Sequence, residues 1–246
     1  IRDLVRSRGL GDVYKRQGHP LAVASAVRPH TRRRATFTGV SDHAGTTLLP
    51  FRHDPTIPLA QTIVAARRTV AESGDPHAVA TIGRTQLEPG GTNVIAGRAT
   101  CWLDCRTETD EMLTCVVDAI TAASQKAAEA EGCQVSWQRE SLTPRTEFDA
   151  SLTARVQKVL EETIGKTPIL STGAGHDAAV LAAEVPTAMV FVRNPTGSSH
   201  TPTECATDED CRAGVRGLAA MLEDVMLNGV AAGNSCQTEG LGTSHG

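Results

Sequence analysis

Aromatic side chains are scarce: four Phe, two Trp and one Tyr in 246 residues. That leaves little surface for stacking bases, which argues against a single-strand nucleic-acid binder. An excess of one charge is missing too. The 24 Lys and Arg face 28 Asp and Glu for a net charge of -4, a balance that argues against a dedicated nucleic-acid binder. No apolar run approaches the ~20 residues of a membrane-spanning helix. The seven cysteines (Cys101, Cys105, Cys115, Cys133, Cys205, Cys211, Cys236) are odd in number and contain no C-x-x-C pair. Such spacing excludes a zinc ribbon or thioredoxin-type site and suits a reducing, cytoplasmic compartment. With 40% hydrophobic and 21% charged residues, the chain has the makings of a packed globular core, and whole-chain disorder is excluded. Its length corresponds to one or two domains.

The opening 1–17 is polar and Arg-rich without the apolar centre of a signal peptide, and reads as a foreign or disordered segment. Period-two alternation predicts a strand over 32–39, where Ala35 and Phe37 oppose Thr36 and Thr38. After a loop holding Asp42, His43 and Gly45, Leu59, Ile63, Val64 and Val70 recur at helical spacing up to Gly74-Asp75-Pro76. Strands follow over 79–87 and 93–106, joined by the turn Glu88-Pro-Gly-Gly91. A helix over 109–131 carries the stripe Met112, Leu113, Val116, Val117, Ile120, and a strand over 134–140 closes the series. The order β-α-β-β-α-β is that of a ferredoxin-like split unit. Beyond Pro144 the reading is helix from Asp149, a short buried strand Ile169-Leu170, a small helix over 177–183, an apolar strand over 187–192 and a last helix with Val215, Leu218, Leu222 and Val225. Alternation of helix and strand predicts a parallel, doubly wound sheet, of which this segment holds about two strands against the usual ~four to six. The fold class is therefore α/β, and the tail 229–246 is expected to be flexible.

Ligands of open α/β sheets bind beyond the carboxyl ends of strands. Two loops occupy such positions, Gly173-Ala-Gly-His-Asp177 and Gly197-Ser-Ser-His-Thr-Pro-Thr-Glu204. A neutral imidazole in a Gly/Ser-rich loop is well suited to a metal, and Glu204 to orienting it. The adjacent carboxylates Glu161 and Glu162 diverge on a helix and read as a solvated face. Pro89-Gly-Gly-Thr lacks the Lys-Ser/Thr of a phosphate loop. Arg32-Arg33-Arg34 split between the faces of a strand, and Cys101 and Cys105 read as small buried hydrophobes. His19, His30, His53, His77 and His245 carry no neighbouring pattern.

Four segments in order, Thr36-Phe-Thr-Gly-Val-Ser-Asp-His-Ala-Gly-Thr-Thr47, Glu88-Pro-Gly-Gly-Thr-Asn-Val-Ile-Ala-Gly97 with Leu103-Asp-Cys-Arg106, Gly173-Ala-Gly-His-Asp-Ala178 and Phe191 to Glu204, carry a resemblance. The chain resembles the metal-dependent amidohydrolases that include allantoate amidohydrolase and N-carbamoyl-L-amino-acid hydrolase, in the aminoacylase/carboxypeptidase-like clan. Trp102-Leu-Asp and Phe191 to Gly197 look most like the allantoate enzymes. The resemblance implies a doubly wound catalytic domain with two divalent ions, zinc or manganese, interrupted by a ferredoxin-like lid that forms a homodimer. On it, 18–29 ends the N-terminal part of the catalytic domain, 30–143 is the lid, and 144–228 is the catalytic domain's C-terminal part. His200 matches the metal ligand. His43 matches the lid imidazole that reaches the partner's site and stabilises an oxyanion. Asn93 and Arg106 match residues gripping a small-molecule carboxylate, and His176 lies at the site's edge. Hydrolysis of a carbamoyl or ureido C–N bond would then follow from attack by metal-activated water with a Glu shuttling the proton.

The family's remaining metal ligands and its Glu base belong ahead of Gly18 and are not in this sequence, and Leu48 and Ala96 stand where the motifs carry prolines. Other readings are an N-carbamoyl amino-acid hydrolase or aminoacylase, and, from another class, a free-standing ferredoxin-like dimerisation or ligand-sensing module. The unpaired edge of a partial sheet predicts poor solubility. A metal site needs about three or four protein ligands, so the chain is expected to be an inactive fragment that binds zinc or manganese weakly. Calorimetric titration checks this, and tight stoichiometric binding would refute it.

Overall fold

The structure is a computed structural model that describes residues 18–198 and 201–229. In chain order its first elements are β1 (Leu21–Val27), β2 (His30–Thr38), β3 (Asp42–His43), α1 (Thr56–Glu72), β4 (Val79–Glu88), β5 (Val94–Ile95), β6 (Arg98–Arg106) and α2 (Asp110–Ala130). Then follow β7 (Gln134–Thr143), β8 (Thr146–Glu147), α3 (Ala150–Thr163), β9 (Ile169–Thr172), α4 (Asp177–Leu181), β10 (Met189–Val192) and α5 (Asp208–Asn228). They divide into two compact units. One is Ala26–Thr146 with Ser171–Gly175, and the other takes the remaining residues.

The first unit is a four-stranded sheet in the order β4-β6-β2-β7, every neighbouring pair antiparallel. With α1 after β2 and α2 after β6, the topology is ferredoxin-like. Alternation along β6 turns Ala99, Cys101, Leu103 and Cys105 toward the core and leaves Trp102, Asp104 and Arg106 on the other face. Two clusters fill the core. Ala35, Phe37, Leu59, Cys101 and Ala128 meet in one; Ala66, Leu103, Cys105, Leu113, Val117 and Ile120 meet in the other. Helix α2 opens at Thr109, whose side chain accepts from the Met112 N–H, with Asp110 and Glu111 in its first turn. The stripe expected for α1 is corrected. Leu59, Thr62, Ala65 and Ala66 are buried, whereas Ile63 and Val64 are exposed, because small side chains allow close approach to the sheet.

In the second unit β1 is the centre of a sheet ordered β10-β1-β8, with β9 also on β1. Sequence reading gave no strand at Leu21–Val27, although its run Leu-Ala-Val-Ala is fully buried. The parallel sheet expected from the later segments carries an antiparallel pair that the sequence reading did not include: β1 runs against β10, Leu21 opposite Val192 and Ala24 opposite Met189. These strands are far apart in sequence, so no short crossover dictates their direction. β9 is longer than expected and Ile169 is exposed rather than buried. Leu21, Val23, Val156, Leu160, Val192 and Ala213 form the core here. Helix α5 buries Asp210, Ala213 and Gly217, and leaves outside the expected stripe residues Val215, Leu218 and Leu222. Gly217 explains the rotation, since a Cβ there would lie 2.6 Å from Leu160 Cδ2. No described helix is long and apolar enough to cross a membrane.

Phe37 is wholly buried on β2, and truncation leaves a cavity. Phe37→Ala is expected to cost about 3–5 kcal/mol, read as a lower urea midpoint with an unchanged slope.

Candidate functional site

The strand β2 ends in a turn that is built around two glycines. A Cβ on Gly39 would fall 2.0 Å from the His53 carbonyl oxygen, and the Gly39 N–H donates to the Gly97 carbonyl at 2.9 Å. Beyond it β3 and β5 form a two-stranded ribbon with His43 opposite Val94. His43 and Asn93 are both exposed there, and the Ala44 N–H donates to the Asn93 carbonyl at 2.9 Å. The ring of His43 is oriented by the backbone: its Nδ1 accepts from the Gly45 N–H at 3.0 Å. Accepting at Nδ1 places the proton of the neutral ring on Nε2, which is then a donor. Asp42 accepts from the His43 N–H at 2.7 Å. That bond, with the Thr47 hydroxyl, holds the Asp42 carboxyl below its ordinary range.

Arg52 clamps this turn from inside, donating from Nε to the Thr47 carbonyl at 2.9 Å and from Nη2 to the Ala44 carbonyl at 2.6 Å. Sequence reading missed it. The only signal was an arginine directly after the turn at Leu49–Phe51. Leu48, one of the departures from proline, adopts φ -69°, a value that proline would also take, so the loop keeps its path.

Arg106 stands at the opposite end of β6. Its Nε and Nη2 grip Asp104 at 2.8 and 3.2 Å, and Nη1 donates to the Gly173 carbonyl at 2.5 Å. The Asp104 pair raises the Arg106 pKa against burial. His30, beside it in the register, is pushed below its ordinary value by burial and then by the Arg106 charge. At roughly 3.3 Å per residue the ends of β6 are about 26 Å apart. The structure thus brings His43 and Asn93 together on one ribbon, and Arg106 does not join them within one chain.

His176 is exposed and caps α4, its Nδ1 accepting from the Ala178 N–H at 3.2 Å. His200 lies outside the described residues. Glu161 and Glu162 are exposed on α3. Burial pushes the Cys101 thiol up to about 11 and Cys105 to about 12, which suits packing and disfavours a thiolate ligand. No group of three or more His, Cys, Asp or Glu among the described residues is arranged to hold a metal ion. With one nitrogen each of His43 and His176 committed to backbone, the described residues do not fit a two-metal cage.

Residues 36–224 match Peptidase family M20/M25/M40. The chain is 28% identical to the allantoate amidohydrolase of Escherichia coli, covering 86% of this chain and 51% of that protein. It is 31% identical to an N-carbamoyl-L-amino acid amidohydrolase of Geobacillus stearothermophilus, covering 85% and 50%. A solved hydantoinase/carbamoylase family amidase from Burkholderia ambifaria superposes with a TM-score of 0.77 at 32% identity, over 87% of this chain and 51% of that one. The chain therefore spans about half the length of the curated relatives it matches.

His30 gives a pH signature. Its folded pKa lies below the ordinary 6.5, so the unfolded chain takes up the proton first and stability falls as pH drops below about 6.5. His30→Gln is expected to lose less stability than the parent between about pH 7.5 and about pH 5.5, measured by urea unfolding at both.

Proposed function

Because the chain belongs to Peptidase family M20/M25/M40, we propose that it serves an amidohydrolase cleaving the C–N bond of a small carbamoyl or ureido carboxylate. Allantoate is the first choice of substrate and an N-carbamoyl-L-amino acid the second. The observation that carries this reading is the His43 turn. Its Nδ1 accepts from the Gly45 N–H, which turns Nε2–H outward from an exposed ribbon, the donor needed to stabilise negative charge developing on a carbonyl oxygen. The names of the relatives supply the substrate class.

A carboxylate is only a few ångströms wide, and the ends of β6 are about 26 Å apart. A single substrate meets both His43 with Asn93 and Arg106 only when two copies of the chain contribute, which supports a homodimer. The family is generally metal-dependent, and a pair of zinc or manganese ions belongs to the proposal for the whole protein. The described residues offer orientation and hydrogen bonds and no metal cage among themselves. The free cysteines suit a cytoplasmic setting.

The test is ammonia release from allantoate and from N-carbamoyl-L-amino acids, with zinc or manganese added. It compares this chain with the protein encoded by the whole reading frame at its locus. The latter is expected to release ammonia from allantoate faster than from the others. His43→Ala should lower its kcat about 10²–10³-fold with a smaller change in KM. Failure with both substrates would overturn the proposal.

A further inference from the structure

One peptide unit in the His43 turn is held from both sides. Its N–H, on Gly45, donates to His43 Nδ1 at 3.0 Å; its C=O, on Ala44, accepts from Arg52 Nη2 at 2.6 Å. The C=O and N–H of a trans peptide point in opposite directions within one plane, so a group that fixes the carbonyl also aims the N–H. The guanidinium of Arg52 suits that task. Its fork spans two carbonyls of a single turn, Nε on Thr47 at 2.9 Å and Nη2 on Ala44. Such a fork presents its donors in a rigid plane, which the ammonium of a lysine does not copy. The flanking groups are fixed as well. The Ala44 N–H donates to the Asn93 carbonyl at 2.9 Å, and the His43 carbonyl accepts from the Thr46 and Thr47 N–H groups at 3.3 and 3.1 Å. Gly45 permits the close approach of ring and backbone, since a Cβ there would lie 3.1 Å from His43 Cε1 and 3.4 Å from its Nδ1.

We propose that Arg52 is a positioning residue for His43, acting through the Ala44–Gly45 peptide. By gripping the carbonyl it aims and strengthens the N–H that occupies Nδ1, and so keeps the ring proton on Nε2. A cation on the carbonyl draws electron density out of the peptide and makes its N–H a better donor, as in any polarised chain of hydrogen bonds. An uncharged imidazole without that N–H carries its proton on either nitrogen. The consequence for catalysis rests on the hydrolase reading, in which Nε2–H meets negative charge developing on a carbonyl oxygen. The link from Arg52 to the ring stands without it.

The test labels histidine with ¹⁵N in the full chain and reads the two tautomers of His43 from its ring nitrogen shifts, at a pH where the ring is uncharged. The signals are assigned by their loss in His43→Gln. Arg52→Met is expected to lower the ratio of the Nε2–H to the Nδ1–H form about threefold or more, the worth of one hydrogen bond. Arg52→Lys keeps the charge without the fork and should fall between Arg52→Met and the parent. Arg68→Met, at an exposed arginine of α1, should match the parent. Circular dichroism checks that each variant is folded, and Arg52→Lys decides the matter where Arg52→Met is not. In the protein encoded by the whole reading frame, Arg52→Met should lower kcat about tenfold with KM nearly unchanged. An unchanged ratio in a folded variant would overturn the inference, even beside a fall in kcat, because a purely structural role leaves the ring of the folded molecules as it was. A shifted ratio with no ammonia release from the parent protein would sustain the inference and remove the hydrolase reading. Ammonia release with the ratio unmoved would do the reverse.

Discussion

The alternation of side chains along β6 is the constraint on which the first unit depends. One register places Cys101, Leu103 and Cys105 under the helices and Trp102, Asp104 and Arg106 on the open face. A slip by one residue would exchange the two sets, carrying Asp104 and Arg106 into the apolar core and parting Asp104 from Arg32 on the neighbouring strand. The same face carries Arg84 stacked 4.1 Å from the Trp102 ring centroid and Arg32 paired with Asp104 at 3.2 Å. Core and polar face are therefore two readings of a single backbone arrangement.

Close approach follows from small residues. Thr62, Ala65 and Ala66 on α1 and Ala213 and Gly217 on α5 occupy the buried faces, and larger apolar side chains are displaced outward. Packing at near-crystalline density leaves little freedom once a backbone comes that close. The stripe that periodicity selects by hydrophobicity is then overruled by the stripe that fits by volume. Gly39 and Gly132 meet His53 from two sides by the same logic, with a Cβ on either colliding with its carbonyl or its ring.

At the candidate site the backbone settles chemistry usually attributed to side chains. The Gly45 N–H chooses the tautomer of His43; the Gly173 carbonyl and Asp104 occupy Arg106; and carbonyls at 44 and 47 hold Arg52. Preorganised groups of this kind lose little freedom on meeting a ligand.

The β-α-β-β-α-β order, the helix starts at Thr109 and Asp149, and the packing role of Cys101 and Cys105 were legible from the residues. Each depends on local periodicity, on a cap a few positions away, or on the tendency of free thiols to be buried. The motifs around His43, Asn93 and Arg106 could be found as strings, but their spacing along the chain did not say that two share a ribbon while the third stands at the far end of a strand. β1, the antiparallel β1–β10 pair and the buried faces of α1 and α5 were decided by tertiary structure. A buried strand without alternation looks like any short apolar run, strand direction is free when no short connection limits it, and helix rotation answers to the volume of the neighbouring surface. Sequence determines what each segment tends to be; only packing in three dimensions decides which segment it meets and which donors are left open.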